Sequence, residues 1–183
     1  MSKVTGAGIG IALIFIILKC VYFITCIHYS NYNLIILTNV ICAMIAVGLG
    51  MYMTRDKKGN FLTSGIDRIK AGMRGGAIYT FIISLFVYFY YGSIDKKFFA
   101  DKIAERVHYA EQADFELLKT NNPEKLGNKS RGDFIDMERE QAELWFSPFM
   151  ISTITMLGTL VTSMLYSLVL NIIFKNFLNA RRL

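Results

Sequence analysis

The chain has 183 residues, 54% of them hydrophobic, with two prolines and a net charge of +6, and its mean hydropathy is +0.40. A single soluble domain does not carry that balance, and the apolar residues fall into four runs of the roughly 20 needed to cross about 30 Å of hydrocarbon. Residues 92–147 hold nine basic and twelve acidic side chains, whereas the rest of the chain holds eleven basic and two acidic, so the basic excess belongs to membrane flanks and does not point to nucleic acid.

Span one is expected over 6–28. It opens with Gly6 and Gly10 in a small-xxx-small pair, where helix backbones can approach closely. No strand precedes these glycines, which excludes a nucleotide-binding loop. The run is longer than a signal peptide's apolar core and no small-residue cleavage pattern occurs before His28, so it is expected to remain as a span. Tyr22, Tyr29 and Tyr32 crowd the uncharged turn that follows, as aromatic rings do at headgroup depth.

Span two, 33–53, carries Asn39, Cys42, Gly48 and Gly50 and stops at a basic cluster. Residues 54–74 form the loop that orients the chain: Arg55, Lys57, Lys58, Arg68, Lys70 and Arg74 stand against Asp56 and Asp67. Lys and Arg near span ends resist translocation and sit well against anionic headgroups, so this loop is expected on the cytoplasmic side, anchoring the chain to the membrane surface. Ser64 and Asp67 fit a helix-capping pattern, and Leu62, Ile66, Ile69 and Met73 recur at helical spacing. A short amphipathic helix on the inner surface is the reading.

Span three, 72–91, ends in an aromatic run. Tyr88, Tyr90 and Tyr91, with Trp145 before the last span, are expected to form the interfacial belt on the outer side. Between them, 92–147 reads as a helical hairpin. Ile94, Phe98, Ile103, Val107 and Ala110 make a loose stripe in a helix running to Lys119 as a continuation of span three. Thr120–Pro123 breaks it, and a second helix covers about 133–146. About 55 residues bury little core, so the hairpin is expected to lean on a partner or a second copy. Its acidic residues read as a solvated helix face and not as a metal site.

Span four, 149–175, follows Pro148, and Ser152, Thr155, Thr159, Thr162, Ser163, Tyr166 and Ser167 form a hydroxyl strip beside Gly158, the face expected to pack on other helices. Lys175, Arg181 and Arg182 then close the chain on the side of the basic loop. Cys20, Cys26 and Cys42 all fall in spans without any CxxC or Cys/His cluster, which points to neither a disulfide framework nor zinc.

Lys19 is the intramembrane charge. About eight residues, roughly 12 Å of helix, separate it from the outer boundary, longer than a lysine stem easily snorkels. Asn39, Cys42, Ser84, Thr155 and Thr159 fall at the same depth and none is a carboxylate. Three readings stand: a lysine tolerated through water and tilt, a contact with another subunit, and the handling of an ion or lipid.

The order of these pieces resembles a family of bacterial integral membrane proteins known only as a domain of unknown function. The glycine-rich first span, Phe61–Gly65 and Lys70–Gly72 entering span three, Ile94–Phe98 after the aromatic run, and Phe146–Pro148 before the last span carry the likeness over nearly the whole chain. The resemblance implies a four-span inner-membrane protein with no assigned activity and no catalytic residues to carry over. It also implies a loose association with polyprenyl-phosphate glycosyltransferase genes. Lys19 is not part of that pattern.

The fold class expected is an all-α integral membrane protein, four transmembrane helices with an extracytoplasmic, periplasmic, helical hairpin between spans three and four and both termini cytoplasmic. An enzyme would need convergent His, Asp, Glu or Ser groups, and His28 and His108 stand alone. The function expected is that of an accessory or scaffold subunit of an inner-membrane envelope complex, without cofactor. Its partners would be membrane lipids and other integral subunits or a second copy, with Lys19, Asn39, Thr155 and Thr159 as partner or lipid contacts. The alternative is a small transporter or channel using Lys19 and the polar residues of spans two and four.

Overall fold

The structure, a computed structural model, describes residues 3–25, 32–55 and 64–180. Cys26, His28 and Tyr29 after span one, Asp56, Lys57, Lys58, Phe61 and Leu62 of the basic loop, and Arg181 and Arg182 lie outside the described residues. In chain order the helices are α1 (Lys3–Ile24), α2 (Tyr32–Tyr52), α3 (Gly65–Phe89), a π-helical stretch (Tyr90–Ile94), α4 (Lys96–Gln112), α5 (Phe115–Asn121), α6 (Pro123–Leu126), α7 (Arg131–Trp145) and α8 (Pro148–Ala180). Four helical stretches, Lys3–Ile24, Asn33–Tyr52, Gly65–Ile94 and Pro148–Lys175, are long and apolar enough to cross a membrane. Continuous helix is what such sequences require in lipid, where every backbone amide must find its partner within the segment.

The chain divides into two compact units, Met1–Phe86 with Ile154–Leu183, and Val87–Thr153. In the first, glycines of α3 set the helix spacing. A Cβ on Gly75 would stand 2.8 Å from the backbone oxygen of Ala46 on α2, and one on Gly76 would stand 2.6 Å from the Cβ of Ser163 on α8. Only hydrogen fits there, so the backbones meet more closely than any side chain allows. On α1 the contact falls at Gly8, whose Cβ would lie 2.7 Å from the Gly75 oxygen, while Gly10 has open space. Gly10 of the expected Gly6 and Gly10 pair therefore makes no close approach, and Gly8 between them does. Between the glycines the interior is filled by Ala43, Ala46, Val47, Met51, Tyr79 and Ile83, all with no exposed surface.

Helix α3 is unbroken from Gly65 to Phe89, so residues read as a separate surface helix form its first turns. Ser64 caps it, its Oγ accepting from the Asp67 amide at 3.3 Å and donating to the Asp67 carboxylate at 3.0 Å. Gly72 does not stop it, because a mid-helix glycine costs only about 1 kcal/mol and the site is packed by Met51 and Ser167.

In the second unit the expected long helix from Ile94 to Lys119 is three pieces. Asp95 accepts from the Phe98 amide at 3.3 Å and Asp114 from the Leu117 amide at 3.2 Å. Each aspartate draws the chain out of helix and caps the next one. Pro123 opens α6 at its first position, where its missing amide hydrogen costs nothing. Folding back at Asp114 places Phe115 on Phe134 with ring centroids 5.9 Å apart, and Ala110 and Leu126 complete a small core.

Candidate functional site

Two places gather polar groups in a way that can do chemistry or recognition, one in each unit. In the four-helix unit a polar seam runs through the interior. The Tyr79 hydroxyl donates to Asn39 Oδ1 at 2.6 Å, and the Tyr79 ring meets Phe15 edge-on at 6.4 Å between centroids. Tyr79 is fully buried, and a phenol in the middle of an apolar span needs such an acceptor. That requirement is the sequence signal for Tyr79, which the spacing of polar residues alone does not single out.

On α8 the hydroxyl strip resolves into an inward and an outward part. Thr159, Ser163 and Ser167 are buried, one turn apart. Thr159 donates to the Thr155 carbonyl at 2.6 Å and Ser167 to the Ser163 carbonyl at 2.8 Å. Those bonds let hydroxyls sit in an apolar interior without a partner on another helix. Thr80 Oγ1 and Ser163 Oγ are buried with no hydrogen-bond partner among the described residues. Lys19 is 3% exposed, in the interior of the unit, and the four long helices contain one carboxylate, Asp67 near the start of α3. The structure thus brings Lys19 and Thr159 inside and leaves Asn39 and Thr155 half-buried. The seam offers one amine, an amide and hydroxyls. Among the described residues no group of three His, Cys, Asp or Glu is placed to hold a metal ion.

The basic residues divide as well. Lys70 and Arg74 are exposed, whereas Arg68 is buried and its Nε donates to Asn171 Oδ1 on α8 at 3.2 Å. The Arg55 guanidinium lies 4.8 Å from the Tyr52 ring centroid and 6.0 Å from that of Phe174, a cation held over aromatic faces. Of the residues expected in the aromatic belt, Tyr88 and Trp145 are exposed. Tyr90 and Tyr91 are instead buried within the second unit. Tyr91 stacks on Phe99 at 4.6 Å and meets Tyr90 edge-on at 4.9 Å. The π-helical stretch turns these two rings into the packing beneath α4, and a run of aromatic letters does not distinguish a belt from a core.

The second site is a groove in the helical unit of Val87–Thr153. A cavity of about 620 Å³ lies between α4 and α7 and is closed at one end by α5 and α6. Phe134, Ala110 and Leu126 form its floor, and Arg106, Lys129 and Glu138 stand at its edge. A smaller hollow of about 210 Å³ shares Arg106 and Gln141 with it and ends at Trp145 and Phe146. Arg106 holds Glu138 across the helix pair, Nε and Nη2 each 2.9 Å from the same carboxylate oxygen. The Lys129 ammonium donates to the Met137 thioether at 3.0 Å, a weak acceptor. Beside it, the Ser130 amide and hydroxyl donate to Asp133 at 2.8 Å and, with the nearby Lys129 charge, hold its carboxyl below the usual range.

The groove is the feature that sequence reasoning missed, because it depends on which faces of two helices some thirty residues apart are turned together. No curated protein and no solved structure matches the chain. The family model described as "Protein of unknown function (DUF4199)" does match, over residues 5–176. The glycine-set helix spacing, the Asp-capped hairpin and the final long span all fall inside that stretch, and the chain belongs to this family.

Proposed function

We propose that the protein is an accessory or scaffold subunit of an envelope complex in the bacterial inner membrane, with both termini in the cytoplasm and the helical unit of Val87–Thr153 in the periplasm. The observation that carries this reading is the outer face of α8. Only 17% of its most apolar window is buried within the protein, against 39% for the spans that contain α2 and α3. On that face Gly158 has no atom within 4 Å of where a Cβ would stand, beside Leu157 and Val161, both more than half exposed. A glycine in open space among aliphatic side chains lets another helix backbone come close, and close packing is what drives association in lipid. Purification in a mild detergent followed by native mass measurement tests it. A complex with other integral subunits is the expected result, and a clean monomer from several gentle preparations sinks the reading.

The buried Lys19 favours a second reading, a small transporter or channel. A buried ammonium in the same unit as the buried, unpartnered Thr80 and Ser163 hydroxyls is the sort of polar interior that ion paths use. Ion or solute flux in liposomes that Lys19→Leu abolishes would favour it over the scaffold.

A further inference from the structure

We propose that the basic end of the four-helix unit binds the phosphate group of an anionic lipid, in a site that Arg55 and Arg68 build on the last turns of α8. The inference stands apart from the scaffold reading and needs only that the four apolar helices cross a membrane. Two helices each deliver one guanidinium to α8. Arg68, in the first turn of α3, is 9% exposed, and its Nε donates to Asn171 Oδ1 at 3.2 Å. Arg55, just past the end of α2, lies 6.0 Å from the centroid of the Phe174 ring and 4.8 Å from that of Tyr52. Asn171 and Phe174 are three residues apart and therefore neighbours on one face of α8. Both cations are thus held within about one turn of each other along that helix, and the exposed Lys175 follows directly.

Their depth fits a headgroup. The apolar stretches begin at Gly65 and end at Tyr52 and Lys175, which puts Arg68 three residues inside one boundary and Arg55 three residues beyond another. At 1.5 Å per residue, both backbones stand within about 5 Å of the edge of the hydrocarbon. Lipid headgroups occupy roughly the next 5 to 8 Å.

The charge balance calls for an anion. An amide and two aromatic rings orient these guanidiniums without neutralising them. The unit of Met1–Phe86 with Ile154–Leu183 holds eleven basic residues, of which Lys19 alone stands in mid-span, and two carboxylates, Asp56 and Asp67. Whichever basic residues those two carboxylates meet, this end of the unit keeps a positive excess. Basic sites between spans at headgroup depth are where anionic lipids bind, and a planar guanidinium matches phosphate through two N–H groups at once.

The test uses the full chain, released in mild detergent from vesicles of equal parts phosphatidylglycerol and phosphatidylethanolamine, with retained lipid read by native mass measurement. The wild type should retain phosphatidylglycerol in preference to phosphatidylethanolamine. Arg55→Gln and Arg68→Gln should each lower that retention about tenfold, the loss of one charge-assisted hydrogen bond. Lys3→Gln, which removes an exposed charge at the start of α1, should leave it unchanged. Helical content is followed in every variant, and the half-buried Arg55 reads the site without removing the contact between Arg68 and Asn171. Equal retention of the two lipids by the wild type overturns the proposal. So does an undiminished yield in Arg55→Gln, or an equal loss in all three variants, which would mark a general attraction of surface charge. Millimolar inorganic phosphate should leave the lipid in place, and complete displacement by it would make the ligand a soluble anion and overturn the lipid site.

Discussion

The Tyr79 hydroxyl and the Asn39 side chain, 40 residues apart in the chain, meet at 2.6 Å in the interior of the four-helix unit. This hydrogen bond joins α2 to α3, and it satisfies a phenol that has no water to turn to. Tyr79→Phe removes the donor and leaves a half-buried amide, so it should lower stability by about 1 kcal/mol. Asn39→Leu takes the side-chain acceptor from a fully buried hydroxyl and should cost about 2 kcal/mol. Unfolding in mixed micelles, followed by helical signal, measures both. No loss of stability from either variant would mean that the bond is not what fixes this helix pair.

Two glycines should behave oppositely although sequence alone makes them equivalent. A Cβ on Gly75 meets the Ala46 carbonyl oxygen at 2.8 Å, and neither backbone can yield cheaply, whereas Gly158 has open space. Gly75→Ala should cost about 1 to 3 kcal/mol by forcing α2 and α3 apart. Gly158→Leu should leave the isolated chain as stable as the wild type and, in the scaffold reading, shed partner subunits. Thermal unfolding of both variants beside native mass measurement gives the comparison. A destabilised Gly158→Leu chain would show that this face packs within the protein.

The four apolar helices were legible because a stretch of about 20 apolar residues has one stable answer in lipid. Rotation of each helix about its axis was not. Gly10 belongs to the pair with the expected spacing and has open space, whereas Gly8 makes a close contact. Arg68 lies in a basic loop by sequence and is drawn inward by Asn171, 103 residues away. In the polar unit, Asp95 and Asp114 stand inside a stretch whose apolar stripe predicts one continuous helix. Their local use, capping the helices that follow, cut one expected helix into pieces. That cut created both the Phe115 and Phe134 pair and the groove, features with no trace in periodicity.

The small core of the helical unit should be its weakest point. Phe134 is buried against Phe115, Ala110 and Leu126, and Phe134→Ala in a unit this small should cost about 3 kcal/mol or more. Hydrogen exchange should then show lost protection in residues 96–145 while the interior of the four-helix unit keeps its own. Simultaneous loss in both would mean that they unfold together.

Acidification should loosen the start of α7. The Ser130 amide and hydroxyl stabilise the ionised Asp133 side chain, so its folded pKa lies below its unfolded one. A group lowered in this way contributes its stabilisation above the unfolded value and loses it as pH falls through the folded one. Exchange at residues 131–134 should therefore quicken below about pH 4. Asp133→Asn should be faster at neutral pH and lose that dependence, and identical profiles for both proteins would remove the capping box from the account.

The proposed orientation depends on where basic residues can rest. The short stretch 55–74 carries six of them and the two ends add more. Basic residues clustered beside span ends resist translocation. In a background with Cys20, Cys26 and Cys42 replaced by alanine, Leu117→Cys, exposed at 59%, should react with a membrane-impermeant maleimide in intact spheroplasts. Lys70→Cys, exposed near the start of α3, should react only after the membrane is opened. The reverse pattern would put the helical unit in the cytoplasm.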